Sequence, residues 1–368
     1  MGEKKTVRRT GRYAYRPDYA VPPGNTLQET IDALGMDQKE LALRTGLNKK
    51  TINQIIKGIH PLTPETALRL ERSTGVPAVM WNNLESNYRD QLARLLDEET
   101  LAEHMDWLKS VPLKELTTRG LIQPCKEKLE QLRQVLKFYG VANVEAWHQY
   151  WEQPTFAFRK SPSFEGKTAA IAAWLRACEL AATDIETEPF SKKDFRTSLK
   201  KARQLTTQEP SEYISALKDL CSDSGVALVL LKEIRGAPIS GAAKWLHKDK
   251  AMIALTLRGK RNDRFWFSFF HEAGHIVNDG KKETFVDSDE NKGRQEERAD
   301  RFAADFLIPR RHLKELETLE DEEEVNEFAY SIGVHPGIVV GRLQNDGLLD
   351  WSEGNDLKQT LDWDSIPA

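Results

Sequence analysis

His271-Glu272-Ala273-Gly274-His275 is the stretch of this 368-residue chain with the sharpest chemical content. On a helix, two histidines four apart face the same way. Two neutral imidazoles so placed can hold one Zn²⁺. Glu272 lies beside them, where it can take a proton from metal-bound water, as metal-assisted peptide hydrolysis requires. A catalytic zinc site also needs a third protein ligand and an open position. The segment from Glu296 to Phe306 offers one. Its apolar stripe is Ala299, Phe302, Ala303 and Phe306, and Glu296 shares that face with Asp300. Glu297 is turned about a hundred degrees away in an ideal helix. Glu296 is therefore the preferred third ligand, with Glu297 as the alternative. Asp300 is spaced to hydrogen-bond the far nitrogen of a zinc histidine and fix its tautomer. His247, His312 and Tyr330 are candidates to polarise a substrate carbonyl, and nothing in the sequence selects one of them.

Residues 38–57 carry a different chemistry. Gln38 to Thr45 reads as a short helix, and Gly46 stops it as a residue able to take positive φ. Asn48 can cap a second helix, Lys49 to Lys57. Ile52, Ile55 and Ile56 form its buried face, and Ala42 sits where the two helices must approach closely. Leu27, Ile31 and Leu34 mark an earlier helix, Thr63-Pro64-Glu65 opens a fourth, and Val76-Pro77 starts a fifth carrying Trp81 and Leu84. Five helices with this glycine turn resemble the λ-repressor-like, or Xre-type, DNA-binding domain. More narrowly, Gly58 to Leu70 and Trp81-Asn82-Asn83-Leu84 look like HigA-type antitoxins. In such domains the second helix of the motif lies in the major groove. Its exposed residues here are Asn48, Lys49, Lys50, Thr51, Asn53 and Gln54. Asn and Gln can pair with adenine edges, and Lys can contact guanine or phosphate. Gln38, at the first helix's N-terminus, would sit on phosphate.

The elements that must position these groups follow from pattern and punctuation. Val226 to Leu231 and Ala251 to Leu257 are short apolar runs that read as strands, with Gly236, Pro238 and Gly241 turning the chain between them. Helical segments follow around 264–278 and 294–306. Residues 91–222 read as mostly helix, with Leu92, Leu95 and Leu96 at their start and Ile171, Trp174, Leu175 and Cys178 at helical spacing. Val325 to Leu343 is another helix, glycine turn, helix. The acids Glu320 to Glu324 precede it and little base follows, so it is expected to support the neighbouring domain rather than read DNA. The expected divisions are a flexible basic tail over 1–24, a helix-turn-helix domain over 25–95, a helical scaffold or linker over 96–222, a metallopeptidase domain over 223–313 and a helical support segment over 314–368. The expected fold is mostly α, with a small α+β zincin-like domain and an N-terminal five-helix DNA-binding domain.

Residues 1–60 hold 11 Lys/Arg against 6 Asp/Glu, a net of +5, while the whole chain stands at −4. A basic head on an acidic body places any nucleic-acid contact at the head. No run approaches the ~20 apolar residues of a membrane span. The basic N-terminus has no apolar segment behind it and so lacks the form of a secretory signal. Three scattered cysteines, Cys125, Cys178 and Cys221, suit a reducing cytoplasm.

Arg264-Phe265, His271 to His275 and Glu296 to Pro309 resemble the ImmA/IrrE metallopeptidases over about residues 226–345. That resemblance implies a zinc held by His271, His275 and Glu296, with Glu272 as the base. It also implies cleavage of a repressor, usually one encoded nearby. One departure matters: the best-known phage-type peptidase lacks a fused DNA-binding head, so its substrate does not transfer. The expected protein is a cytoplasmic regulator binding double-stranded operator DNA as a homodimer and cutting a protein substrate. The alternative is a non-catalytic antitoxin that represses its operator, binds a cognate toxin and uses the zinc fold as a scaffold.

Overall fold

Helix signals and stops place five helices in the described residues of the N-terminal part of the chain. In a computed structural model describing residues 19–152, 167–280, 284–287 and 294–366, the chain forms two compact units, Met1–Met105 and Asp106–Ala368. The first contains α1 (Pro23–Ala33), α2 (Gln38–Thr45), α3 (Lys49–Ile56), α4 (Pro64–Thr74) and α5 (Ala78–Glu103). Leu27, Ile31, Leu41, Ile52, Ile55, Leu70 and Trp81 form its core. Leu92, Leu95 and Leu96 do not open a new element. They lie on the second half of α5, which runs for 26 residues. Residues 1–18 of the expected tail lie outside the described residues, whereas Pro23 and Gly24 already belong to α1.

Gly24 has a packing reason to be glycine. A Cβ there would lie 2.2 Å from the Cα of Ile56, so α1 meets α3 backbone to backbone.

The second unit begins with α6 (Leu113–Thr118), α7 (Lys128–Tyr139), α8 (Val144–Trp151), α9 (Thr168–Asp184), α10 (Lys192–Gln204) and α11 (Pro210–Ser222). It continues through β1 (Val226–Leu230), β2 (Gly241–His247), β3 (Lys250–Leu255), α12 (Asn262–Asn278), β4 (Thr284–Asp287) and α13 (Arg294–Leu307). The last α-helices are α14 (Leu313–Leu316), α15 (Glu322–Ile332) and α16 (Pro336–Asn345), followed by a segment with two short 3-10 turns. The sheet order is β1-β3-β2-β4. β1 runs parallel to β3, pairing Val226 with Ala251, and β2 is antiparallel to both β3 and β4.

The two apolar runs are strands as expected, but Gly241 opens a third strand rather than a turn. Gly241-Ala242-Ala243-Lys244 has weak strand propensity, and pairing on both edges overrides it. β4 is a further strand, and three of its four residues, Thr284, Phe285 and Val286, are of strand-favouring types.

α12 is buried nearly all round. It packs on β2, β3, α13 and α16. α10 and α11 join the same core through Phe195, Leu199, Tyr213 and Leu217. α16 contributes Ile338, Val339, Val340 and Leu343. The N-terminus of α12 is pinned from the C-terminal segment: Gln359 N donates to Asn262 Oδ1 at 3.1 Å, and buried Lys358 pairs with Asp263 at 2.7 Å.

Gly24→Ala should destabilise the first unit by ~1–3 kcal/mol, the cost of forcing a side chain into closed packing. Thermal melting of the full chain would register it, and an unchanged melt would contradict the close approach.

Candidate metal centre and nucleic-acid interface

α12 presents His271 and His275 on one face, and α13 crosses it with Glu296 opposite them. The crossing point is Gly274. A Cβ there would lie 3.2–3.3 Å from Phe302 side-chain atoms and from the Cα of Ala299. With Ala299 and Ala303 buried on the facing helix, the two backbones come close enough for a glutamate to reach both imidazoles.

Glu296 Oε2 lies 3.0 Å from His271 Nε2 and 3.3 Å from His275 Nε2, and the two Nε2 atoms are 3.1 Å apart. All three residues are buried. Bonds of ~2.0–2.1 Å around a tetrahedral zinc separate neighbouring donor atoms by about 3.3 Å. The three atoms therefore fit three corners of such a site and leave a fourth for another ligand. Two imidazole acceptors and a carboxylate face to face need a shared cation, whether a proton or a metal. Burial works to raise the pKa of Glu296, but with protonated imidazoles facing it their hydrogen bonds and charge outweigh burial and bring the carboxyl down to about 2.

Each imidazole is held from behind. His271 Nδ1 lies 2.8 Å from Asp300 Oδ1, and His275 Nδ1 lies 2.7 Å from Asp279 Oδ2. Donation from both Nδ1 atoms turns the Nε2 lone pairs toward Glu296, the tautomer a metal ligand needs. The Asp279 side chain is 1% exposed and pairs with Arg298. The first turns of α13 thus supply three contacts to α12 or its end, from Glu296, Arg298 and Asp300.

Of the two candidates for third ligand, Glu296 is brought to the histidines, and Glu297 is exposed. Asp279 was not singled out in the sequence. Its signal is a carboxylate four residues after the second histidine, repeating the interval that joins the two histidines. Glu272 is fully buried. A Cβ on Gly241 would stand 2.8 Å from its Oε1, so β2 begins with the one residue that leaves space for this carboxylate. Among the described residues, His247, His312 and Tyr330 make no hydrogen bond or ring contact with the cluster. Tyr330 is 90% exposed.

In the first unit, Asp37 caps α2 by accepting from Glu40 N at 2.7 Å, and Gly46 ends it at φ 68°. Asn48 Oδ1 accepts from both Thr51 N and Thr51 Oγ1, at 2.7 and 3.0 Å. That oxygen is committed to the cap of α3. Asn48, Lys49 and Lys50 are exposed, while Thr51, Asn53 and Gln54 are half-buried. Gln38 opens α2 and donates to Gln28 Oε1 at 3.1 Å.

Residues 27–81 match the helix-turn-helix family, and residues 229–344 match a peptidase family described as the IrrE N-terminal-like domain. The uncharacterized HTH-type transcriptional regulator YddM of Escherichia coli is 33% identical over 64 residues, which cover 17% of this chain and 68% of that protein. The chain belongs to the helix-turn-helix transcriptional regulators. This regulator carries an IrrE-like domain fused behind its helix-turn-helix domain. Two solved structures are also similar, each at 24% identity. One, from Nostoc punctiforme, is described as an antidote protein of a plasmid maintenance system; the match covers 23% of this chain and 94% of that one, with a TM-score of 0.23. The other is the Pseudomonas aeruginosa antitoxin HigA with the higBA promoter, at 22% and 90% coverage and a TM-score of 0.21.

Asp279→Ala should leave the fold intact and weaken metal binding by roughly 10–100-fold, the usual cost of losing a carboxylate behind a metal-binding histidine. Competition titration with a chelator reads this directly. An affinity equal to that of the unaltered chain would separate Asp279 from the metal centre.

Proposed function

We propose that this regulator binds operator DNA through α2 and α3 and acts on a repressor or partner protein through a zinc-dependent endopeptidase centre in its second unit. The observation that carries the peptidase half is the convergence of His271, His275 and Glu296, with a carboxylate behind each imidazole and buried Glu272 adjacent in sequence. His271 Nε2, His275 Nε2 and Glu296 would hold the zinc, which when bound polarises a carbonyl and acidifies water. Glu272 takes the proton of the attacking water and passes it to the leaving amine. Asp279 and Asp300 keep both imidazoles in the required tautomer. Gly241 keeps Glu272 in place by leaving its carboxylate the space that any side chain would fill.

On the DNA side, Lys49 and Lys50 contact phosphate or guanine. Asn53, Gln54 and Thr51 approach base edges, and Gln38 touches phosphate at the start of α2. Asn48 holds α3 through its cap. A homodimer on a palindrome would fit this type of motif. The second reading is an antitoxin that binds operator and toxin without cleaving anything. It is favoured by the HigA-like run Gly58 to Leu70.

Metal analysis should find about one zinc per chain, lost in His271→Ala, His275→Ala and Glu296→Ala and kept in Glu297→Ala. Glu272→Gln should keep zinc and operator binding, yet lower cleavage of the candidate substrate by about 10²–10⁴-fold. Expression of both forms in the native host tests this, and identical promoter and degradation behaviour would transfer the case to the antitoxin reading.

Lys49→Ala with Lys50→Ala should weaken DNA binding and flatten its salt dependence by about 2 in log–log slope. Substituting Asn53 or Gln54 is the cleaner test of sequence preference, because Asn48→Ala also removes a cap at a cost of ~1 kcal/mol.

A further inference from the structure

α10 carries Lys192, Lys193, Arg196, Lys200, Lys201 and Arg203 in thirteen residues, with one acid, Asp194. Phe195, Leu199 and Ala202 bury its inner face in the core of the second unit. Lys192, Arg196 and Lys200 therefore point outward as a row at four-residue intervals, with Lys193 and Lys201 beside them. All five are exposed. Arg203 is used differently. Its Nε donates to the carbonyls of Phe306 and Leu307, at 3.0 and 3.1 Å, and closes the end of α13.

Folding does not account for the five outer cations. Some cations elsewhere in this unit meet an acid within a turn, as in exposed Lys109–Asp106 and half-buried Arg119–Glu115 and Arg342–Asp346. None of the five pairs with a described residue. They gather on one helix of a unit that holds 38 Lys/Arg against 43 Asp/Glu. Like charges a turn apart repel by a few tenths of a kcal/mol per pair. A polyanion laid along the row would turn that repulsion into attraction.

We propose that the outer face of α10 binds the phosphate backbone of double-stranded DNA, as a second contact beyond the helix-turn-helix. From Lys192 to Lys200 the row spans about 12 Å at 1.5 Å per residue. A duplex carries a charge every ~1.7 Å of its axis, so several phosphates lie within reach of these long side chains. The row contains no aromatic residue on which an unpaired base could stack, which favours a duplex over a single strand. Contacts from this row to phosphate alone add affinity without sequence preference. The inference rests on the head's DNA binding, since a duplex held there meets a tethered second contact at high effective concentration.

The test uses the full chain, a duplex of the DNA upstream of its own gene, a random-sequence duplex and a single-stranded oligonucleotide, each titrated over a salt series. Lys192→Ala/Arg196→Ala/Lys200→Ala should flatten the log–log salt slope on both duplexes by up to about 3, at ~0.9 per phosphate. The preference for upstream over random duplex should stay as in the unaltered chain. Lys114→Ala/Lys126→Ala/Lys314→Ala removes the same charge from exposed positions elsewhere in the unit and should leave the slope alone. An unchanged slope in the α10 variant, an equal change in the control, or a larger effect on the single strand overturns the proposal. Failure of the head's DNA reading shows separately, as an unaltered chain with no preference for its upstream duplex.

Discussion

Glu296 reaches both histidines because α13 crosses α12 at a residue without a side chain. The close contact of Gly274 with Ala299 and Phe302 sets the distance between the two helices. A larger residue at 274 would push α13 outward and withdraw Glu296, Arg298 and Asp300 together, since all three lie in its first two turns. The sheet, α11 and α16 matter to the site chiefly by burying α12, which leaves it little freedom to tilt away from that crossing. Asn262 and Asp263 at its start are fastened to Gln359 and Lys358, so residues far apart in sequence hold the histidine-bearing helix from its other end.

The electrostatics run against stability unless a cation takes part. Glu272, Glu296 and the Asp279 side chain are all removed from solvent within a short stretch of α12 and α13. Taking a carboxylate out of water costs several kcal/mol even after relaxation. Arg298 offsets part of this at Asp279, and the two imidazoles offset part at Glu296. A divalent cation among the three facing donors would offset more, and would replace a proton shared between groups that all present lone pairs.

What could be read from the chain depended on how local each signal was. The two histidines, Glu296 and Asp300 were legible because helical periodicity alone decides which side chains share a face. The Gly46 turn and the Asn48 cap were legible because they concern only neighbouring residues. Asp279 sits beyond the last helical residue of α12, where periodicity no longer fixes direction. β2 was hidden because Gly241, Ala242 and Ala243 are small for the sake of α12 and Glu272, and small residues read as turn. The contact of Gly24 with Ile56 joins residues 32 apart and left no trace in spacing. The misses at Gly24 and Gly241 share one physical origin, a residue chosen for a partner distant in sequence.

The second unit's two candidate uses differ in what they require of residue 272. A scaffold needs α12 buried and stable, and an apolar side chain of similar volume at 272 would serve that better than an ionisable one. This chain instead spends a fully buried position on glutamate and begins β2 with glycine to make room for its carboxylate. It also places a carboxylate behind each histidine, an arrangement that packing does not demand. Two costs borne at separate elements, β2 and α13, converge on one small volume, where each makes chemical sense only with the other. That coincidence weighs toward a centre built to move a proton.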